Sequence, residues 1–307
     1  MAVSPIHYLA IGHVAKDLTA RGPRLGGTVS FASLTARALD YAPGVVTACG
    51  PELDLGRLDG VALAVTGSTT TTTYENIYGP EGRQQFIRAQ AAPLTAASIP
   101  SGWMDAPVIH LAPLAHEIEP AMLDALGGGF VGVTPQGWLR QWDVAGRVRA
   151  AVDEWAGADQ VLGRANAVVL SLDDIAGDWA VAERWAKRAQ VLVVTQGAEG
   201  YTVFVRGQGA RQFLAPHEVE VDPTGAGDIF AAAFFVNFYE TGEAWASARF
   251  ANQVAALSVT RVGLDGVPTA EEVGLCRLAS LAPTPSPSPE PEIQERGRGG
   301  APAPGRG

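Results

Sequence analysis

The stretch VDPTGAGDIFAAAFF, residues 221–235, sets a turn of small residues and two carboxylates directly in front of an apolar run. With only a methyl among them, Gly225, Ala226 and Gly227 let backbone N–H groups face outward as a concave nest, and a helix starting there adds the positive end of its dipole. That combination binds an anion. Asp228, in the first helical turn beside the anion, is then placed to take a proton from an attacking hydroxyl. An Asp-Pro turn followed by an Asp that merely favours a helix N-terminus also explains the isolated string, so its context has to decide.

Composition narrows the choice. The chain has 307 residues, 47% of them hydrophobic, enough for one large core with an appendage or two modest ones. Lys+Arg 22 against Asp+Glu 32 leaves a net charge of -10, which opposes nucleic acid and anionic membranes as partners. The opening MAVSPIHYLAIGHV lacks a basic n-region and reads as a first buried strand, not a signal peptide, and no run is long enough to span a bilayer. Cys49 and Cys276 lie far apart and read as free thiols, which points to a reducing cytoplasm. The lysines, Lys16 and Lys187, each follow Ala, so no Walker motif exists. A GxGxxG match at Gly127, Gly129 and Gly132 precedes a strand instead of following one, so hydride transfer loses its main support.

Outward from the glycine turn, β-rich apolar runs alternate with Ala-rich helical stretches. The strands are expected at HYLAIGHV, GVVTACG, VIHLAPL, FVGVTP, AVVLSL and VLVVTQG, with helices at FASLTARALDY, EPAMLDALG and WAVAERWAKRA. This alternation predicts a three-layer α/β fold with a mainly parallel central sheet. The β-branched, polar segment 69–90, split by Gly-Pro-Glu-Gly at 79–82, reads as a hairpin. Residues 281–307 are rich in Pro, Ser and Gly, and are expected to be a disordered tail on a domain at 1–280.

The chain resembles the PfkB, or ribokinase-like, family of sugar kinases. Asp222, Thr224, Gly225, Ala226, Gly227 and Asp228 match its C-terminal signature, with Pro223 where the family often has Thr. The resemblance covers roughly residues 6–278 and implies a ribokinase-like fold with a small β lid, formed by 69–90 plus part of 13–30. It implies substrate contacts at Asp17 and at Gly26 and Gly27. It implies nucleotide contacts at Thr195, Gly197 and Gly200 of TQGAEG and at Asn252. Where the family shows Asn-x-x-Glu to organise Mg²⁺, this chain has Ser171 and Asp174, leaving one carboxylate at shorter reach. Asp222 and Thr224 would shape a monovalent-cation (K⁺) site.

Ribose-using members place Asn where this chain has Phe31, and Gln136 and Arg140 match the branch containing myo-inositol kinases. Phe31 is expected to pack on a substrate C–H face and Arg140 to clamp a phosphate or substrate oxygen. The implied activity is transfer of a phosphoryl group from Mg·ATP to a small polyol or sugar, with Asp228 as base, by a monomer or a homodimer paired through the lid. A nucleoside or sugar-acid kinase of the same fold, and a catalytically silent carbohydrate-binding protein, stay open as alternatives.

Overall fold

The computed structural model describes residues 5–79 and 82–280. The hairpin tip at 80–81 and the tail at 281–307 lie outside the described residues. In chain order the elements are β1 (Tyr8–Ile11), β2 (Ala15–Thr19), β3 (Gly22–Gly26), α1 (Thr28–Ala38), β4 (Pro43–Cys49), β5 (Ala62–Gly67), β6 (Thr73–Gly79) and β7 (Gly82–Ala89). They continue as β8 (Val108–Leu111), β9 (Phe130–Val133), β10 (Arg140–Trp142), β11 (Val148–Ala150), α2 (Ala158–Arg164), β12 (Ala167–Ser171), α3 (Trp179–Ala186) and β13 (Val191–Thr195). The last are β14 (Tyr201–Val205), β15 (Gly209–Phe213), α4 (Ala226–Thr241), α5 (Ala244–Ser258) and α6 (Ala270–Ser280).

The large sheet has the order β15-β14-β13-β12-β9-β8-β1-β4-β5. From β13 to β5 all neighbours are parallel, while β14 and β15 add antiparallel at one edge. The parallel strands read as continuous apolar runs because both of their faces are covered. Leu9, Ile11, Ile109, Leu111, Val168 and Leu170 enter one core, shared with α2, α3 and Trp103, Trp138, Trp155 and Trp185. Tyr8, Ala10, Val45, Val108, Val169 and Val193 enter the opposite core with α1, α4 and α5. The period of two thus sorts side chains between two helical layers, giving the three-layer architecture. Helix α4 is apolar on every side and buried over 229–236, since it lies between the sheet, α1 and α5.

All six expected strands form, and FASLTARALDY and WAVAERWAKRA are helical as read. EPAMLDALG is not an α-helix: Pro120–Ala125 is 3-10, begins with Pro, and gives way to extended backbone at Leu126 before a glycine run.

A second sheet of order β3-β2-β6-β7 stands over the strand ends. Segment 69–90 supplies its β6–β7 hairpin, and β2 and β3 come from 15–26. Its inner face buries Ala15, Tyr74 and Ile87 against Leu114 and Ala115. The short β10–β11 ribbon packs alongside through Trp142 and Val148.

Candidate active site

Ligands of open α/β sheets gather beyond the carboxyl ends of the strands, where the strand order reverses direction. That switch falls between β1 and β8 here, because the chain runs outward through β4 and β5, then returns to β8, β9 and β12. The loops leaving this edge carry His13 after β1, Gln136 after β9, Asp174 after β12 and Gly197 after β13. The N-terminus of α4 faces the same edge.

Gly225 caps α4 with φ 84° and ψ -5°, the left-handed conformation that costs a residue with a Cβ about 1–2 kcal/mol. A Cβ there would also overlap the ring of Phe31. Phe31, expected on a substrate face, is 2% exposed and packs its ring beneath this turn. Ala226 N–H reaches Pro223 O at 3.2 Å, whereas Gly227 and Asp228 precede the first helical donor, Ile229 N–H to Gly225 O at 2.9 Å, so their N–H groups have no acceptor within the helix. The turn is held by Asp222, whose Oδ1 accepts from Thr224 N–H at 3.0 Å and whose Oδ2 accepts from Gly263 N–H at 3.1 Å.

Asp228 is partly buried, and four side chains act on it. Burial raises its carboxyl pKa most; a hydrogen bond with Thr28 and the charge of Arg140 lower it, while Asp174 and Asp17 raise it again, leaving it at about 6. The structure thus brings Asp17, Arg140, Asp174 and Asp228 together from four separate elements of the chain. Thr28, the first residue of α1, was not singled out by sequence, although its place directly after the Gly pair was the available signal. Asp17 lies on β2 with its carboxylate against Gly26. Gly27, with φ 87°, approaches the backbone so closely that a Cβ would sit 2.6 Å from His13 O, which keeps α1 tight against the β1–β2 loop. Arg140, opening β10, lays its guanidinium over the Tyr74 ring at 5.8 Å. Tyr74 is a second residue the sequence reading missed; it was hidden within the polar hairpin run.

Gln136 turns toward Asp174, its Nε2 donating to Oδ1 at 3.4 Å. The other carboxylate oxygen of Asp174 accepts from Ser171 N–H at 2.9 Å, and Ser171 Oγ accepts from Asp174 N–H at 3.2 Å, closing a capping box. Among the described residues no three His, Cys, Asp or Glu side chains are grouped to hold a metal ion. Asp174 is the carboxylate of this turn that could hold a hydrated Mg²⁺. Replacing Asp174 by Ala is expected to raise the Mg²⁺ concentration for half-maximal rate several-fold. An unchanged Mg²⁺ titration would leave Asp174 as a cap alone.

On the other side of the α4 turn, TQGAEG links β13 to antiparallel β14, so it is a hairpin connection at the carboxyl edge of a strand. Gly197 has φ 57° and Gly200 φ 103°, and Thr195 Oγ1 donates to Leu170 O at 3.4 Å. Asn252 on α5 donates its amide to Leu214 O at 3.1 Å and anchors the segment running to the α4 turn. Along that segment Leu214, Val219 and Val221 are exposed. On the lid side a cleft of about 550 Å³ opens between β7, the β10–β11 ribbon and the Asp174 turn, lined by Gln84, Gln85, Arg140, Arg147 and Asp174. That is ample for a small ligand. No helix among the described residues is long and apolar enough to cross a membrane.

Residues 157–270, which include Asp174, Thr195, Asp228 and Asn252, match the pfkB family carbohydrate kinase. That match covers residues 157–270, the C-terminal part of the described chain. It is 41% identical to the ribokinase of Bacillus subtilis (strain 168) over 96 residues, 30% of this chain and 32% of that protein. The match therefore spans about a third of that ribokinase. Over 252 residues it is 25% identical to the cytidine kinase of Thermococcus kodakarensis, 75% of this chain and 87% of that protein. Among solved structures, a pyrophosphate-dependent kinase of the ribokinase family, complexed with a pyrophosphate analog and myo-inositol, superposes with TM-score 0.72 at 21% identity, covering 87% of this chain and 99% of that one. The fold is ribokinase-like, and the small-residue turn at the start of α4 lies within the matched segment.

Proposed function

We propose that this protein transfers the terminal phosphoryl group of ATP to a hydroxyl of a small polyol or sugar, with a cyclitol such as myo-inositol as the acceptor class to test first. The observation that carries this reading is the convergence on Asp228. A half-buried carboxylate with a pKa of about 6 follows an outward-facing N–H turn, and Asp17 and Arg140 are close enough to act on it. In this reading Asp228 takes the proton of the attacking hydroxyl, and Asp17 with the Gly26–Gly27 backbone orients the remaining hydroxyls. The N–H groups of Gly227 and Asp228 meet the charge that develops on the transferred group. Arg140 balances the same charge from the lid side. Bound Mg²⁺ supplies further neutralisation of the phosphate oxygens, and Asp174 would hold it through water. A monovalent cation such as K⁺ beside Asp222 and Thr224 belongs to the same reading and is tested by exchanging K⁺ for an organic cation in the assay.

Support for ATP as the donor comes from the segment between Leu214 and the turn. Three exposed apolar side chains, Leu214, Val219 and Val221, leading to the anion site, offer a surface that a nucleoside base would cover. Pyrophosphate has no apolar face to use it. Likeness to a pyrophosphate-dependent kinase makes pyrophosphate the second donor to test. The burial of Phe31 removes it as a reason to prefer a cyclitol over ribose, so the cyclitol rests on Asp17 and Arg140. Likeness to a cytidine kinase keeps nucleosides in the acceptor panel. With cyclitols, pentoses, sugar acids and nucleosides offered in turn, ATP is expected to exceed pyrophosphate as donor by at least about tenfold in kcat/KM. A larger value with pyrophosphate would reverse the donor assignment.

A further inference from the structure

The lid is tied to the acceptor side of the site by one imidazole. His13 follows β1, is fully buried, and stands between the two stems of the β6–β7 hairpin. Its Nε2 lies 2.9 Å from Ala92 O, just after β7. A carbonyl only accepts, so Nε2 carries the proton. In the neutral ring Nδ1 then accepts, and the hydroxyl of Thr72, just before β6, donates to it at 2.7 Å. Thr72 Oγ1 in turn accepts from Ala91 N–H at 3.0 Å, closing a ring of bonds around both stems. Lys16 N–H adds a bond to Thr72 O at 2.8 Å, so β2, which carries Asp17, is registered on the same residue.

The backbone of His13 is fixed as firmly as its ring. His13 N–H donates to the carboxylate of Glu117 at 2.8 Å, and the same buried carboxylate accepts from Leu114 N–H at 2.9 Å and Ala115 N–H at 2.7 Å. Leu114 O accepts from the hydroxyl of Tyr74 at 2.7 Å, and the Tyr74 ring supports Arg140. The Asp17 strand, both hairpin stems and the seat of Arg140 therefore meet at His13 and Glu117.

We propose that His13 is a positioning residue, clamping the two lid stems so that Asp17 and Arg140 are held over the acceptor. This rests on the kinase reading above, since it assigns the lid side of the site to the acceptor. It makes no contact with the reacting atoms. Its loss acts on acceptor binding and leaves the α4 turn and the donor side intact. A Gln side chain can repeat both bonds, donating to Ala92 O and accepting from Thr72; Leu can make neither.

The test compares His13→Leu with His13→Gln. His13→Leu is expected to raise KM for the acceptor about tenfold, with donor KM within about threefold, while His13→Gln restores the wild-type acceptor KM. Amide hydrogen exchange should quicken at 73–77 and 84–89 in His13→Leu and remain slow at 226–241. If His13→Leu does not fold, Thr72→Val opens the same ring of bonds from the other side and is expected to give the same pattern. Wild-type acceptor KM and wild-type exchange in both variants would overturn the clamp. So would a parallel loss in donor KM, acceptor KM and melting temperature that Gln does not rescue. If wild-type protein phosphorylates no acceptor, the exchange pattern alone reads the clamp, and the failure of the kinase reading is told apart from failure of His13.

Discussion

Asp228→Asn is expected to lower kcat by about 100-fold or more while changing ATP and acceptor affinity only a few-fold, because a general base contributes on that order and the amide keeps the shape. The wild-type rate should also depend on pH in one direction. With the carboxyl at about 6, the base is protonated below that pH, so kcat/KM of the free protein should fall about tenfold per pH unit on the acid side and level off above. Asp228→Asn should show no such limb. Stability moves the opposite way. A carboxyl whose pKa is raised from 3.8 to about 6 on folding adds stability below about pH 4, and that stability is lost as pH rises through about 6. The displacement corresponds to about 3 kcal/mol. At pH 8 Asp228→Asn should therefore melt higher than wild type, and at pH 4 the difference should vanish. An inactive variant with higher Tm at pH 8 is the joint signature. A rate near wild type would remove Asp228 from the role of base.

The glycines of the α4 turn should separate folding from chemistry. Gly225→Ala meets both the left-handed φ and the Phe31 ring, so it should cost about 3 kcal/mol and lower Tm by several degrees. Gly227 has nothing within 4 Å of where a Cβ would stand. Gly227→Ala should then fold normally, and gain up to about 1 kcal/mol from replacing a helical glycine. Yet its methyl enters the space where the transferred phosphoryl group would sit, and kcat should drop about 100-fold. Equal, wild-type rates in Gly227→Ala would mean that no anion docks on that turn. The two substitutions, two residues apart, are best measured together by melting and by turnover.

Much of the fold was legible because its parallel strands are short apolar runs covered on both faces, a pattern that survives without knowledge of neighbours. Edge elements were harder. Strand β5 exposes alternate residues, and β10–β11 and β14–β15 are short antiparallel ribbons whose polar positions resemble loop. The turn at the start of α4 was readable as a string, because Gly225, Gly227 and Asp228 sit within one stretch of local backbone geometry. Ser171 and Asp174 spelled a capping box in their S-x-x-D spacing as clearly as they echoed a metal motif. The side on which Phe31 packs was not legible for a physical reason: α1 is buried at every position from 28 to 36, so its sequence offers no polar face to orient it. His13, Glu117 and Tyr74 were invisible for another reason. Their importance lies in bonds spanning many residues of sequence, such as the one joining His13 N–H to Glu117.

The most direct test of phosphoryl transfer is a ³¹P NMR time course of the protein with Mg·ATP and the polyol panel, myo-inositol included. The growth of a phosphate monoester in step with ADP, absent when Asp228→Asn replaces the wild type, is the predicted result. ADP and free phosphate with no ester from any acceptor, or an ester formed equally well by Asp228→Asn, would contradict it.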